Sequence, residues 1–255
     1  MLVQSENERI KRIRISERNS HTEIYLNEEL YKSDSWLNKP IKTVVDLIPC
    51  FKDYKTLNVL DLGCGVGRNC IAVAQAYKNI VCNVDCVDLL ELAIEKLCEN
   101  AITHNVEAQI HGIVQSIEEY KIEKEKYDLI MAISALEHIN SKDSFQRILV
   151  EIRNGVRQNG IVCFVINSNV QEWDKKTKEG LDAQFEVNFP TDELKALLQD
   201  VFGDWEVMKF TTQEQHYDIP RELGVCELDT EVLPFLRDEN GKYVKNPEFM
   251  EVEDK

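Results

Sequence analysis

No run in this sequence approaches the roughly 18 consecutive apolar residues that a membrane-spanning helix requires. The opening stretch MLVQSENERIKR turns polar too soon to hold the apolar region of a signal peptide. Positive charge is also short: 30 Lys and Arg face 46 Asp and Glu, for a formal net charge of -16. Such a surface repels phosphate backbones and anionic membranes, so nucleic acid is disfavoured as a partner and no membrane association is expected. The basic residues that do cluster, Arg9, Lys11, Arg12, Arg14 and Arg18, read as a solvated N-terminal strand or arm. The eight cysteines lack a framework spacing, which points to free thiols in a reducing cytoplasm. Cys82 and Cys86 have no second Cys/His pair nearby to complete a zinc tetrahedron, so no metal site is expected. There is no internal repeat, and no Gly-Lys-Ser/Thr follows the glycines, which excludes a kinase-type phosphate loop.

What is present is an alternation of strand and helix patterns. The stretch Asn58 to Ala74, NVLDLGCGVGRNCIAVA, runs from an apolar strand through Gly63, Gly65 and Gly67 into an amphipathic helix. A second strand is expected over Ile80 to Val84, ending in Asp85, then a helix from Leu89 to about Asn100. Further strands are expected over Ala108 to Val114, Tyr127 to Ile133 and Ile161 to Ile166, with a helix over Ser144 to Arg157 and a turn at Asn159-Gly160. A helix follows Pro190, and two C-terminal strands are expected over Trp205 to Tyr217 and Cys226 to Leu236. This cadence implies an α/β fold: a Rossmann-like, doubly wound, mostly parallel sheet of seven strands, with helices on both faces and an antiparallel C-terminal strand. Three parts are expected: an N-terminal arm and covering segment (1–40), the main domain (41–238, with a variable polar loop at 168–190) and an acidic tail (239–255) that follows the Asn240-Gly241 turn. In the first part the isoleucines at 10, 13 and 15 read as a short strand or arm, and His21 to Leu37 as helical pieces that either join the core or cover the site.

The glycines are spaced G-x-G-x-G. A dinucleotide fingerprint would place its third glycine where Arg68 stands. VLDLGCGVGRN, the acidic strand end at Asp85, YDLIMAISALEHI and the Asn159-Gly160 turn resemble the successive motifs of the class I S-adenosylmethionine-dependent methyltransferases over about residues 41 to 167. DLGCGVGRN and FEVNFPTDELKALLQDVFGDWEV are similar, more specifically, to the tellurite-resistance methyltransferase family. In that family the C-terminal strand often has a His before an Arg, where this sequence has Pro220 and Arg221.

The resemblance implies S-adenosylmethionine as cofactor and S-adenosylhomocysteine as product. It puts Asp61 on the methionyl amino group, Gly63, Cys64, Gly65 and Gly67 against the methionyl and ribose parts, and Asp85 with its neighbour Cys86 on the ribose hydroxyls. Gln115, Ser116 and Ile117 fall on the adenine side, and Ile133, Ser134 and His138 on the methionyl side. Arg68 and Asn69 stand at the cofactor edge, with helix capping as their other reading. No Asn/Asp-Pro-Pro-aromatic tetrapeptide follows the fourth strand, which together with the charge favours a small-molecule acceptor over a nucleobase. Acceptor-site candidates come from the two variable ends: His21, Tyr25, Trp36, Trp173, His216, Tyr217 and Arg221, of which Tyr25, His216, Tyr217 and Arg221 are taken as the catalytic set. The acidic C-terminal strands offer a homodimer interface. Two alternatives stay open: an inactive cofactor-binding regulator of the same fold, and a nicotinamide-dependent oxidoreductase.

Overall fold

The structure is a computed structural model and describes residues 6–221 and 224–238. The expected Asn240-Gly241 turn and acidic tail lie outside the described residues. Among the described residues, strands β1 (Thr56–Leu62), β2 (Val81–Asp88), β3 (Ile110–Val114), β4 (Tyr127–Ile133), β5 (Val156–Asp174), β6 (Gly180–Leu181), β7 (Glu206–Phe210), β8 (Gln213–Arg221) and β9 (Gly224–Asp238) form one sheet. Its main path runs β3-β2-β1-β4-β5-β9-β7, with β6 on β5 and β8 on β9. The first five strands of that path are mutually parallel, and β9 is antiparallel to both of its neighbours on it. The chain winds outward from β1 through β2 to β3, then returns to β4 on the other side. That reversal creates a topological switch point, outside whose carboxyl strand ends open α/β sheets bind ligands.

The helices are α1 (Glu6–Asn27), α2 (Lys42–Leu47), α3 (Cys70–Ala76), α4 (Glu91–Thr103), α5 (Lys142–Gly155) and α6 (Thr191–Phe202). Strand alternation divides the core into two layers. Leu57 and Val59 of β1, with Leu129 and Met131 of β4, pack under α2, α3 and α4. Leu60, Leu62, Ile130 and Ala132 face α5 and α6. The α5 stripe Phe145, Ile148, Leu149 and Ile152 recurs at helical spacing and is fully buried. Each such side chain contributes roughly 1.5–3 kcal/mol.

Three expectations are corrected. The isoleucines of the N-terminal segment belong to a single 22-residue helix, not a strand. Ile13 is its one buried residue while Ile15 is 61% exposed, so the apparent alternation has no sheet face behind it. The docked stripe is instead Arg9, Ile13, Glu17, His21 and Tyr25 at four-residue intervals, a mostly polar stripe that hydrophobic periodicity does not reveal. Second, the fifth strand extends through residues 167–174 into the expected loop, where it pairs with β9 and β6. The Asn159-Gly160 turn survives as a bulge inside it: Tyr127 pairs with Val156 and Leu129 with Ile161, and Asn159 takes φ +65°. Third, the span Trp205 to Tyr217 breaks between Phe210 and Gln213 into two strands, which lie along different parts of β9.

The glycine turn is held by its own geometry. Gly63, Gly65 and Gly67 have φ of +73°, +53° and +94°. At Gly63 an added Cβ would meet the Cβ of Ala135 at 2.4 Å, a contact no rotamer change relieves. Gly63→Ala is therefore expected to destabilise the fold by about 2–4 kcal/mol. The check is a thermal melt, which should fall by roughly 5–15 °C for a domain of this size.

Candidate functional site

Asp61 follows Leu57 and Val59 on the face covered by α3, and is 1% exposed. Its Oδ2 is buried without a hydrogen-bond partner. Burial is the main cause of a pKa raised to about 7; hydrogen bonding from Cys70 pulls it down, and the charge of Asp88 pushes it up. Cys64, Cys70 and Cys86 are packed around this carboxyl, all buried. Burial drives the Cys64 thiol up to about 12 and Cys86 well above its ordinary value, so these are neutral packing groups. Cys86 is fully buried, with its thiol 3.6 Å from Val84 O.

The acid at the end of β2 is Asp88, not Asp85. The two are three residues apart on a strand, so they project from opposite faces of the sheet. Asp85 sits on the far side from Asp61, where its Oδ2 accepts from Lys126 Nζ and from the Tyr127 hydroxyl, both at 2.9 Å. These contacts engage Asp85 on the face away from the glycine turn. Asp88 Oδ2 accepts from Gly65 N at 2.9 Å and its Oδ1 from Leu90 N at 2.9 Å. One carboxylate thereby ties the glycine turn to the start of α4, and each oxygen keeps a lone pair for a ligand hydroxyl. Burial raises the Asp88 pKa, against the lowering effect of these N–H groups and of His21. A sequence signal was available: Asp88-Leu89-Leu90-Glu91 has the acid-x-x-Glu form that opens helices.

The expected adenine-side stretch begins directly beside this acid. Gln115 N donates to Asp88 O at 2.9 Å, and Ser116 O accepts from Tyr120 N at 3.0 Å, with Ile117 turned onto the α5 layer. After β4, Ser134 takes φ +51° and donates its N–H to Val165 O at 2.7 Å. A left-handed non-glycine residue at a strand's carboxyl end marks a site where backbone direction is forced. It leads into the 3-10 turn Leu136–His138. Arg68 and Asn69 are committed elsewhere. Arg68 Nε donates to Lys39 O at 2.8 Å with its guanidinium over Trp36, and Asn69 Oδ1 accepts from Ile41 N at 3.1 Å without capping α3. They fasten the segment before α2 rather than face the turn.

Helix α1 roofs the glycine turn. A Cβ at Gly65 would lie 3.0 Å from the Tyr25 hydroxyl, so Tyr25 rests on bare backbone. Tyr25 stacks on His21 at 5.4 Å, and burial lifts its pKa far above the usual phenol value. His21 Nε2 pairs with Glu17 at 3.2 Å while its Nδ1 is buried without a partner. In the turn after β4, His138 Nδ1 lies 2.9 Å from Glu186 Oε2, and its ring stacks on Phe185 at 5.3 Å. Burial lowers the His138 pKa, but Glu186, Glu137 and Glu17 outweigh it and lift the value to about 9. His138 is thus an imidazolium at neutral pH. Below it Glu137 is buried and accepts from Asn167 N and Nδ2.

The three β8 residues of the expected catalytic set stand apart. His216 is exposed and opposite Asp229, Tyr217 opposite Leu228, and Arg221 opposite Gly224. From β1 the sheet passes through β4, β5 and β9 before β8, four strand spacings or about 19 Å. Trp173 lines a cleft of about 370 Å³ with Arg9, Glu172, Gly180 and Asp182, a cleft that includes no glycine-turn residue.

The residues fit an S-adenosylmethionine site on three observations: an orphaned buried carboxylate oxygen at Asp61, a second acid bound to the turn at Asp88, and backbone that tolerates no Cβ. Residues 59–160 match the family model described as a methyltransferase domain. These residues form a methyltransferase domain, and their motifs fit the class I S-adenosylmethionine-dependent methyltransferases. S-adenosylmethionine is the cofactor of this methyltransferase domain. The chain is 33% identical over 119 residues to the release factor glutamine methyltransferase of Fusobacterium nucleatum subsp. nucleatum, covering 46% of this chain and 32% of that protein. It is 27% identical over 100 residues to norajmaline N-methyltransferase of Rauvolfia serpentina, covering 38% and 32% respectively. The match thus spans about a third of the length of these two relatives. In fold it is similar to TehB from Haemophilus influenzae, with a TM-score of 0.58 and 20% identity over 77% of this chain and 62% of that one. This likeness fits the resemblance to the tellurite-resistance family. Among the described residues no helix is long and apolar enough to cross a membrane.

Proposed function

We propose that this methyltransferase transfers the methyl group of S-adenosylmethionine to a small-molecule acceptor. The observation that carries the reading is the α1 roof: Tyr25 lies on Gly65, so the mouth of the site is enclosed by helix rather than open to a polymer strand. When bound, the cofactor supplies an electrophilic methyl group on a sulfonium. Asp61 would hold the methionyl ammonium and Asp88 the ribose diol, with Gly63 and Gly65 giving backbone access. Gln115, Ser116 and Ile117 would flank the adenine, and Ile133 and Ser134 the methionyl chain. The acceptor would lie between Tyr25 and His21 on one side and His138 on the other. A longer acceptor would extend along the β5–β9 ladder toward His216, Tyr217 and Arg221.

Methyl transfer from a sulfonium to an acceptor depends mainly on in-line positioning and on exclusion of water, both of which a helical roof favours. His138 as an imidazolium donates rather than accepts a proton, so it orients or neutralises an acceptor group. The described cysteines are free, in keeping with a cytoplasmic setting. The test is a transfer assay with methyl-labelled S-adenosylmethionine and cell extract split by size. Label in the small-molecule fraction is expected; label only in protein or nucleic acid would reverse the acceptor class. Cofactor bound with no label transferred to any fraction would favour the inactive regulator.

A further inference from the structure

Charged side chains tie helix α1 to the domain: Arg12 NH2 donates to Asp182 Oδ2 at 2.9 Å, and Arg9 makes a larger set of hydrogen bonds beside it. Arg9 Nε donates to Asp182 Oδ2 at 3.0 Å, and its NH2 to Asp182 Oδ1 at 3.1 Å. The same guanidinium reaches three backbone carbonyls: Ala183 O at 3.3 Å, Phe185 O at 2.9 Å and Glu186 O at 3.3 Å. Its side chain is only 21% exposed. A planar fork with five N–H groups can serve a carboxylate and three carbonyls together, which an ammonium cannot. The segment it gathers carries the two residues that touch His138, Phe185 by stacking and Glu186 by hydrogen bond.

We propose that Arg9 is a positioning residue for the acceptor wall: by binding residues 182–186 it sets Phe185 and Glu186 against His138, so the wall is assembled only while α1 is docked. Placing the acceptor beside His138 rests on the function proposed above; the assembly of the wall does not. The arrangement ties the roof and the wall into one unit, because the helix that brings Arg9 to residues 182–186 also brings Tyr25 to Gly65. Arg14 adds a second tie from the same helix, 3.4 Å from Glu186 Oε1 and 3.6 Å from Glu118. The groups that face His138 are Glu186 from this segment, Glu137 from its own turn and Glu17 from α1. Undocking α1 removes Glu17, and release of residues 182–186 removes Glu186. Both losses act in the same direction on the imidazole.

The experiment is an NMR titration of the His138 imidazole in the full chain, alongside calorimetry with S-adenosylhomocysteine. Wild type should titrate near pH 9. Arg9→Gln is expected to move the midpoint below 7.5, toward the ordinary histidine value of about 6.5, while S-adenosylhomocysteine affinity changes by less than about fivefold. Asp182→Asn, which weakens only the outer contact, should shift the midpoint by less than half as much. If Arg9→Gln does not fold, Arg9→Lys keeps the charge but not the fork and should still bring the midpoint below 8. A midpoint left at about 9 in whichever Arg9 variant folds overturns the proposal, even if its melting temperature falls. Failure of wild type to bind S-adenosylhomocysteine would instead overturn the functional reading, with the titration still deciding the role of Arg9.

Discussion

Replacing Asp88 by Ala is expected to weaken S-adenosylhomocysteine binding by about 100-fold or more, while Asp85→Ala leaves it within about threefold. The difference follows from strand geometry. Asp88 ends β2 on the face of Asp61 and holds Gly65 N at 2.9 Å, whereas Asp85 projects from the other face onto Lys126 and Tyr127. An ionised carboxylate shared by two ribose hydroxyls makes two charge-assisted hydrogen bonds, each contributing roughly 1.5–3 kcal/mol, and every 1.4 kcal/mol is tenfold in affinity. Loss of the Gly65 contact adds freedom to the turn, so the Ala variant should be worse than Asp88→Asn. Asp85→Ala has its own signature: it takes one partner from the Tyr127 hydroxyl, which keeps Tyr120, and one from the Lys126 ammonium, which keeps Glu123, at a stability cost of about 1–3 kcal/mol. Calorimetry for affinity and a denaturant titration for stability separate the two. Loss of affinity in Asp85→Ala with Asp88→Ala unaffected would reverse the assignment.

The second large effect is at Asp61, where binding and stability should move in opposite directions. Its folded pKa is raised above the unfolded value, to about 7. Raising a carboxyl pKa means that the folded state prefers the proton. The charged form is therefore destabilising, and stability from this group is lost as pH rises from about 4 through 7. Asp61→Asn removes that penalty. The variant should be more stable than wild type at pH 8 and should lose the part of the pH dependence that lies between 4 and 7. Against the cofactor it should lose about 30-fold or more in affinity, since a cationic ammonium then meets a neutral amide. Wild type should also release up to one proton on binding S-adenosylhomocysteine near pH 6, because the ligand's ammonium pulls the Asp61 carboxyl down. Titrations in buffers of different ionisation enthalpy measure that proton, and proton uptake would contradict the assignment. Retained buried charge at the expense of stability is what a ligand-binding acid looks like.

Much of the sheet is legible in the sequence because its information is local. β4 falls on Tyr127–Ile133 as expected, and the glycine turn follows β1 directly, since alternation and φ above zero leave marks in residue type. The apolar run Ile80 to Val84 points to Asp85 as the strand end, whereas β2 continues to Asp88, and an odd shift exchanges the two faces of the sheet. The roof is legible only in part. Tyr25 could be named as a candidate, but the stripe Arg9, Ile13, Glu17, His21 and Tyr25 is polar at most positions, and its partners Asp182 and Glu186 are more than 160 residues away in sequence. Such pairings depend on the finished fold. Glu186 carried no local signal, whereas Asp88 had one in the helix-opening pattern that follows it.

The central claim is that the glycine turn after β1 holds S-adenosylmethionine between Asp61 and Asp88 beneath α1. A crystal structure with S-adenosylhomocysteine tests it most directly. The account predicts both ribose hydroxyls within about 3.2 Å of the Asp88 carboxylate, and the methionyl amino group within hydrogen-bond reach of Asp61, directly or through one water. Ribose density at Asp85, or nucleoside density away from Gly63 to Gly67 at saturating ligand, would contradict it.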